Sequence, residues 1–520
     1  MESTSSTKWL TFPENGYLNV ADNTGQKLSH LILGLPINNI LGTMDRAIRE
    51  IVYDSRKAGP DTLFAAIPGE SWDGSEFIKD AISKGASAFI TQTPLESLNG
   101  LGLGSRNVTA LCVEDSRKAL SIASANFYQH PSEQIALTGI TGTNGKTTTA
   151  YILEAVFRAE DVRTGVIGTI NYHYDDKVFP ATVTTPESLD LNRMLRQMIE
   201  EKVENCFLEV SSHALHQSRV HGMNFKVGIF TNLSRDHLDF HGDMDRYKNA
   251  KKKLFLENNV EHPILNIDDS VGREFADEFK AGLFTTGIDR NADFKAENIV
   301  LTRSGCEFTL KTPFGAGEIR SNLLGRHNVH NLLSAGAGAM VQGVPLEKVQ
   351  EAFRHIQPIP GRFERIDNDH GFSVLVDYAH TDDALSNAIS AAKDFTEGRL
   401  IVVFGCGGDR DKGKRKAMGK AVLSKADFSI ITSDNPRTED PEQIIDDILQ
   451  GVPASACKDD DYTVIINRKD AIECAIQSAE KNDLVLIAGK GHENYQVLET
   501  QTIHFDDREI ARSALRKRSH

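Results

Sequence analysis

The chain has no apolar stretch approaching the ~20 consecutive residues that a membrane-spanning helix requires. Its first 30 residues are polar and lack the apolar centre of a secretory signal, and Met1 to Lys8 reads as a frayed tail rather than an address. No Cys-x-x-Cys pair occurs. The six cysteines, Cys112, Cys206, Cys306, Cys406, Cys457 and Cys474, are scattered, which speaks against disulfides and a zinc site and for a reducing, cytoplasmic compartment. Positive charge is not in excess either: the net charge is −15, which argues against general nucleic-acid binding. The basic cluster Arg516, Lys517 and Arg518 is short and terminal, as a solvated helix end would be. No internal repeat or low-complexity tract stands out. What remains is an ordinary globular composition, 40% hydrophobic and 25% charged. A chain of 520 residues is too long for one core and suggests roughly three domains of about 150 residues each. A monomer acting on small molecules, with no nucleic acid and no membrane as partner, is expected.

The most informative stretch present is Ile135 to Thr149, a short apolar strand, a glycine-rich turn and a helix start. In such a turn backbone N–H groups converge on phosphate oxygens, and the helix N-terminus adds positive potential. Gly142, Thr143, Asn144, Gly145, Lys146, Thr147 and Thr148 form the candidate loop. Lys146 would reach the β- and γ-phosphates of a nucleotide, and the Thr147 hydroxyl would ligand Mg²⁺. The strict phosphate-loop pattern wants glycine where Ile140 stands, so this is a variant of the loop; the bland alternative is a structural strand–turn–helix.

The rest of the chain alternates strand-like and helix-like segments, the pattern of an α/β protein with mostly parallel sheets. Expected strands are Thr62–Ile67, Ala86–Ile90, Thr164–Ile170, Cys206–Val210, Val227–Asn232, Ile264–Asn266, Ser373–Val376, Leu400–Phe404, Phe428–Thr432 and Leu484–Ala488, with a helix over Phe77–Lys84. Breaks at His130-Pro131-Ser132 and Pro358-Ile359-Pro360-Gly361 suggest an N-terminal extension (1–30) and three domains, 31–132, 133–358 and 359–520. The polar residues cluster just after strands, where open parallel sheets bind ligands.

Glu209 ends one strand in Glu-Val-Ser-Ser-His. A helix cap by Ser211 or Ser212 is the bland reading, and a Mg²⁺-ligating Glu209 is the one favoured beside a phosphate loop. The exit Thr231 to Asp239 packs His237 among three charges, which favours a metal or phosphate role over a structural one. Gly405 to Arg415 is a glycine-rich loop with four cations, either flexible surface or an anion grip. Asp434-Asn435-Pro436-Arg437 is a turn signal that would expose its arginine at a strand tip, ready for a bidentate carboxylate.

Taken in order, these stretches resemble the Mur ligases. The resemblance runs from about Val52 to Asp506. It is carried by Asp54-Ser55-Arg56, TGTNGKTT at 141–148, Thr184-Thr185-Pro186, EVSSHALHQSRV at 209–220, NLSRDHLDFHGDM at 232–244 and GRHNVHN at 325–331. In the last segment it is carried by GRFERI at 361–366, DYAHT at 377–381, GCGGDRDKGKR at 405–415, DNPR at 434–437 and GKGHE at 489–493. It implies a central P-loop ATPase-like domain, a Rossmann-like C-terminal domain and a smaller N-terminal α/β domain. It also implies a reaction of peptidoglycan precursor synthesis. The D-Glu carboxylate of UDP-N-acetylmuramoyl-L-alanyl-D-glutamate takes the γ-phosphate of ATP, and an amine of meso-2,6-diaminopimelate displaces phosphate from the acyl phosphate.

The resemblance assigns roles residue by residue. Lys146 and Thr147 fall to the ATP phosphates and Mg²⁺, and Glu209 and His237 to the metal. Lys251 matches the lysine that the family carbamylates, which would turn a cation into an anion beside Mg²⁺; on the residues alone, Lys251-Lys252-Lys253 reads as a solvated helix face. Asn331, Arg362, Asp377 and His380 resemble further ATP contacts. Tyr53, Ser55, Thr184, Thr185, Ser211, Gln217 and Arg219 match positions that hold the UDP-muramoyl dipeptide. Arg410, Asp434, Asn435, Pro436, Arg437, Gly489 and Glu493 match the diaminopimelate site.

Arg410 and Arg437 suit the second carboxylate of diaminopimelate. Lysine would leave them unpaired, at a cost of roughly 1–3 kcal/mol or more, while Glu493 would pair the distal ammonium. The chain departs from the family pattern at Asp382, where Pro is usual, at Val183, and at Glu70-Ser71-Trp72. Alternatives are ligation of L-lysine or another diamino acid, a folylpolyglutamate synthase-like ligase, a P-loop phosphohydrolase, and an inactive nucleotide-binding regulator.

Overall fold

The structure is a computed structural model, described for residues 25–69, 72–101, 107–279, 281–302 and 304–518. The expected frayed start at Met1 to Lys8, most of the 1–30 extension and the Glu70-Ser71 pair lie outside the described residues. Contacts divide the chain into two compact units. The first takes Met1–Thr141, Asp161–Gly228 and Ala250–Pro263, and the second takes Gly142–Glu160, Ile229–Asn249 and Ile264–His520.

In the first unit, a five-stranded sheet runs in the order Ile37–Leu41, Thr109–Val113, Ala88–Thr91, Thr62–Ala65 and Glu50–Val52. Its pairs are parallel except the first. Both faces are covered, so the strands read as continuous apolar runs: Leu63, Ile90 and Leu111 pack on one side, and Phe64, Phe89 and Ala110 on the other. The helix Ser116–Phe127 is capped by Asp115, whose carboxylate accepts from the Arg117 and Lys118 backbone N–H groups. The same unit holds the parallel strands Thr164–Ile167, Asn205–Glu209 and Ala136–Thr141, continued at one edge by the antiparallel hairpin Asn171–Tyr174 and Lys177–Pro180.

Several expected strands end early, two of them in this unit by two or three residues. Thr62–Ile67 stops at Ala65, and Thr164–Ile170 stops at Ile167. The second has a chemical reason: the Thr169 N–H donates to the Glu209 carboxylate at 2.9 Å instead of extending a ladder. The helix expected over Phe77–Lys84 is a 3₁₀ turn, Gly74–Phe77, followed by an α-helix, Ile78–Ser83. The strand expected at Val227–Asn232 is Asn224–Phe230, because Thr231 and Asn232 turn away to hold a loop.

In the second unit, the end of Asn259–Asn266 pairs in parallel with Phe284–Gly287, and Phe284–Gly287 with Phe294–Thr302. An antiparallel extension, Phe294–Thr302, Gly305–Thr312 and Gly315–Ser321, follows. The last segment builds a six-stranded sheet in the order Glu364–Arg365, Ser373–Asp377, Leu484–Ala488, Leu400–Phe404, Phe428–Ile431 and Tyr462–Val464, parallel apart from its first pair. Leu400, Val402 and Phe404 face one apolar layer, and Ile401 and Val403 the other. Arg518 is less solvated than a bare helix end, since its guanidinium sits over the Phe372 ring at 4.9 Å. No described helix is long and apolar enough to cross a membrane.

One fully buried ion pair anchors the last helix, Asp507–Arg518. Arg468 donates to Asp507 at 2.8 and 2.7 Å and to the Ala488 carbonyl at 2.9 Å. Removing one partner strands the other charge away from water. Asp507→Ala is therefore expected to destabilise the protein by about 3–5 kcal/mol, read from denaturant unfolding followed by circular dichroism. A loss below about 1 kcal/mol, the range of exposed pairs, would contradict the burial.

Candidate functional site

The loop Gly142 to Gly145 leaves the strand Ala136–Thr141 and leads into the helix Lys146–Arg158. Its two glycines both take positive φ, 146° at Gly142 and 88° at Gly145. A Cβ at Gly142 would lie 1.9 Å from Thr231 Oγ1, and one at Gly145 would lie 2.4 Å from Asn331 Oδ1. The strand exit after Phe230 clamps the loop. Thr143 N donates to the Asn232 carbonyl, Asn144 N to Asn232 Oδ1, and Thr231 Oγ1 to the Asn144 carbonyl, at 2.9, 2.9 and 2.6 Å. Thr143 Oγ1 also shares a 3.1 Å hydrogen bond with the Tyr247 hydroxyl. Lys146 Nζ donates to the Gly142 and Thr143 carbonyls, both at 2.9 Å, so its charge lies over the loop where phosphate oxygens would arrive.

Groups from the last segment reach the same loop within this unit. Arg362 Nη2 donates to Thr147 Oγ1 at 2.9 Å and stacks over Tyr378 at 4.5 Å. Asn144 Nδ2 donates to Asp383 Oδ2 at 3.2 Å. Asp377 accepts from Phe363 N and Ala379 N, at 2.7 and 2.8 Å; burial pushes its carboxyl up, and the Arg362 charge opposes that. His380 Nδ1 lies 2.8 Å from the Tyr378 carbonyl, so it carries the proton there; burial lowers its basicity, and Lys414 lowers it further. Asp236 is buried, which would raise it, yet His237, His380 and Lys414 hold it below the usual carboxylate range. His237 itself sits in a left-handed conformation with Nε2 3.3 Å from Asp236 Oδ2.

Asp382, the departure from the proline pattern, is the first helical residue after the Thr381 cap. Proline and aspartate both suit that position, proline through its preset φ and aspartate through the helix dipole.

In the first unit Glu209 is 1% exposed at its strand end. Its carboxylate accepts from Thr169 N and Thr169 Oγ1 at 2.9 and 3.0 Å, and the Thr184 hydroxyl lies 3.1 Å from Thr169 Oγ1. Thr185 Oγ1 donates to the Glu209 carbonyl at 2.7 Å and accepts from Ser211 N at 3.0 Å. Ser211 caps the short helix Ser212–His216, so the capping role and the site role share one residue. Arg219 Nη1 donates to the Thr185 carbonyl at 2.7 Å, and Gln217 is buried nearby in sequence. Thr184, Thr185, Glu209, Ser211 and Arg219 are thus brought together.

Tyr53 and Ser55 make contacts of their own: the Tyr53 hydroxyl donates to Asp190 Oδ2 at 2.6 Å, and the Ser55 carbonyl accepts from Lys84. Lys251 corrects the solvated-face reading. It is 1% exposed, while Lys252 and Lys253 remain partly exposed.

The strand exits of the last sheet gather a third group. Asp434 and Asn435 are buried, and Gln496 Nε2 donates to the Asp434 carbonyl at 2.6 Å. Asn435 Nδ2 donates to Glu493 Oε2 at 2.8 Å. Gly489 lies against Asp434, whose Oδ2 would be 2.8 Å from a Cβ placed there. Pro436 is buried. Arg437 is not the exposed tip expected of a bare turn: it is partly covered, and its Nη1 donates to the Gly408 carbonyl at 2.7 Å. Arg410 is exposed and folds onto the Asp409 carbonyl.

Several residues of these clusters had no role in the reading from sequence. Thr169 fixes Glu209, Thr231 and Asn232 clamp the loop, and Arg415, 0% exposed, ties the cation-rich loop to Glu439 and Asp447. Lys490 is fully buried between Asn435 and Glu493. The motifs 232–244, 405–415 and 489–493 contain most of them, but burial, the property that singles them out, is not written in a motif.

A glycine loop with its lysine folded over it, at the exit of a parallel sheet and held by groups from a second α/β sheet, defines the class of P-loop-bearing nucleotide enzymes. Family models agree in detail. Residues 47–128 match the Mur ligase family catalytic domain, 140–339 the Mur ligase middle domain, and 361–491 the Mur ligase glutamate ligase domain. A UDP-N-acetylmuramoyl-L-alanyl-D-glutamate--2,6-diaminopimelate ligase from Clostridium botulinum is 42% identical over 91% of this chain and 96% of its own. The enzyme of the same name from Geobacillus thermodenitrificans is 44% identical over 89% and 94%. A solved structure bearing that name aligns with TM-score 0.67 and 31% identity over 95% of this chain and 100% of its own. MurF from Acinetobacter baumannii, at 20% identity and TM-score 0.61, shares the fold. The chain belongs to the Mur ligase family, and is an ATP-dependent ligase of three-domain α/β architecture.

Because a methyl group at Gly142 would overlap Thr231 Oγ1, Gly142→Ala is expected to weaken ATP binding at least ten-fold by calorimetry and to lower the melting temperature. Unaltered ATP affinity would contradict the role given to this close approach.

Proposed function

We propose that the protein joins meso-2,6-diaminopimelate to the D-Glu carboxylate of UDP-N-acetylmuramoyl-L-alanyl-D-glutamate, cleaving ATP to ADP and phosphate. The carrying observation is the strand-exit cluster of the buried Asp434 and Asn435 with the partly buried Glu493, beside the partly covered Arg437. It offers carboxylate and guanidinium groups to a ligand with ammonium and carboxylate ends. The names of relatives spanning about nine-tenths of both chains support the same substrates. We further propose a cytoplasmic, monomeric protein with domains at 31–132, 133–358 and 359–520.

In the first step a D-Glu carboxylate oxygen bonds to the γ-phosphorus, and the bond from that phosphorus to the β–γ bridging oxygen breaks. In the second the diaminopimelate amine adds to the acyl carbon. The tetrahedral species then releases phosphate, and the amine proton passes to solvent. The first step brings two anions together and the second gathers negative charge on the tetrahedral oxygen and the leaving phosphate, so fixed cations stabilise both more than mobile ones would. Lys146 is proposed to exchange its loop carbonyls for phosphate oxygens, with Gly142, Thr143, Asn144, Gly145 and Thr148 lining the loop. Arg362, Asn331, Asp377 and His380 are proposed as the remaining ATP contacts. Thr184, Thr185, Ser211, Gln217 and Arg219, with Tyr53 and Ser55, are proposed to hold the UDP-muramoyl dipeptide. Arg410, Asp434, Asn435, Pro436, Arg437, Gly489 and Glu493 are proposed for diaminopimelate.

Among the described residues no three His, Cys, Asp or Glu side chains converge as a ready-made metal site. A hard divalent cation of the magnesium type, which keeps waters and takes phosphate oxygens, does not need one. Within the second unit the Thr147 hydroxyl and His237 are donors of a kind that suits it; in the first unit Glu209, and Lys251 as its carbamate, are proposed as metal ligands from the family resemblance alone. Bound Mg²⁺ would neutralise charge on the transferred phosphate.

Phosphate release from ATP and UDP-N-acetylmuramoyl-L-alanyl-D-glutamate is expected only when meso-diaminopimelate is added; faster turnover with L-lysine would overturn the substrate assignment. Arg437→Ala should raise the KM for diaminopimelate at least ten-fold and leave that for ATP within two-fold, and equal loss of both would contradict its placement. Lys251→Ala should lose activity that short carboxylates partly restore.

A further inference from the structure

Lys490 is 0% exposed, on the turn after the strand Leu484–Ala488. A lysine is almost never fully buried unless its charge is matched. Here it is matched: Nζ donates to Asn435 Oδ1 at 3.0 Å and to Glu493 Oε2 at 2.9 Å, and lies 5.4 Å from the centre of the Tyr495 ring. These contacts decide how two neighbouring side chains present themselves. Asn435 Oδ1 is occupied by Lys490 and by the Val497 N–H at 3.0 Å, so the amide is oriented with Nδ2 toward Glu493. Glu493 Oε2 in turn accepts from both Lys490 and Asn435, while Oε1 receives no hydrogen bond among the described residues.

We propose that Lys490 is a positioning and specificity-determining residue: by locking the Asn435 amide and the inner oxygen of Glu493, it holds the outer Glu493 oxygen, as a carboxylate, for the distal ammonium of the diamino acid. The inference rests on the assignment of Glu493 to the amine substrate made above.

The charge balance around Glu493 explains why a cation is needed. Burial pushes this carboxyl up, and Asp434, beyond the end of the strand Phe428–Ile431, pushes it further; Lys490 opposes both, and the Asn435 hydrogen bond adds to that. The other titratable groups facing it are Tyr378, Tyr495 and Arg468, from three different elements. A protonated Glu493 could not pair an ammonium. Taking the Lys490 charge away therefore moves the pH at which Glu493 loses its charge upward, and the acidic limb of substrate capture with it.

The test compares wild type, Lys490→Met, Glu493→Gln and the double variant, with steady-state kinetics in meso-diaminopimelate and in ATP and a pH profile of kcat/KM for diaminopimelate. Lys490→Met is expected to raise the KM for diaminopimelate at least ten-fold with kcat changed less than three-fold, to leave the ATP KM within two-fold, and to shift the acidic limb to higher pH. In the Glu493→Gln background the same change should have less than a three-fold effect, because its target is gone. An unchanged diaminopimelate KM and pH profile in Lys490→Met, or a loss in the double variant equal to the product of the two single losses, would overturn the proposal. If Lys490→Met does not fold, Lys490→Gln, which keeps a donor but no charge, must show the same shift of the acidic limb for the proposal to stand. Failure of the wild type to use diaminopimelate at all would instead sink the functional assignment.

Discussion

Close packing of side chains against the backbone of a glycine loop is the constraint on which the second unit depends. The loop at Gly142 to Gly145 exchanges hydrogen bonds with the strand exit at Thr231 to Ser234, and Thr231 and Asn331 leave no room for a Cβ at Gly142 and Gly145 respectively. That proximity holds the loop's shape before any nucleotide arrives, so the cost of ordering it falls on folding rather than on binding. The Lys146 ammonium is kept over the loop by two carbonyls, and Arg362 holds the Thr147 hydroxyl. The cations that a phosphoryl transfer needs are then largely in position at the outset, which is what electrostatic preorganisation means in structural terms.

The same logic recurs with opposite charge. Glu209, Asp377, Asp434 and Glu493 stand at or just beyond the ends of parallel strands, and each is held by donors rather than left to solvent. A buried carboxylate without such donors would take up a proton and lose its use as a ligand. Thr169, Phe363, Asn435 and Lys490 are therefore as much part of the chemistry as the carboxylates they serve. The apolar layers on both faces of each parallel sheet fix the strand ends, and the strand ends aim these groups.

Much of this was legible in the order of residues because buried parallel strands are unbroken apolar runs. Leu400–Phe404 and Leu484–Ala488 are covered on both faces and were readable at their true limits. The antiparallel strands Phe294–Thr302, Gly305–Thr312 and Gly315–Ser321 were not. They are half exposed, with polar and charged residues at alternating positions, and carry little continuous apolar signal. The phosphate loop stood out despite Ile140, since its two obligatory glycines and its lysine are intact. Burial of single cations was beyond reach. Nothing in Lys251-Lys252-Lys253 says which lysine faces inward, because only the phase of the helix decides it. Lys490 likewise reads as a surface residue until Asn435 and Glu493 are placed beside it.

The central claim is that the ligase activates a carboxylate by transferring the γ-phosphate of ATP to it. Labelling the D-Glu carboxylate of the nucleotide-sugar dipeptide with ¹⁸O and following the inorganic phosphate by mass spectrometry tests this directly. One ¹⁸O atom per turnover should appear in the phosphate, because the acyl carbon–oxygen bond is the one that breaks when the amine enters. Unlabelled phosphate formed alongside amide product would contradict the account.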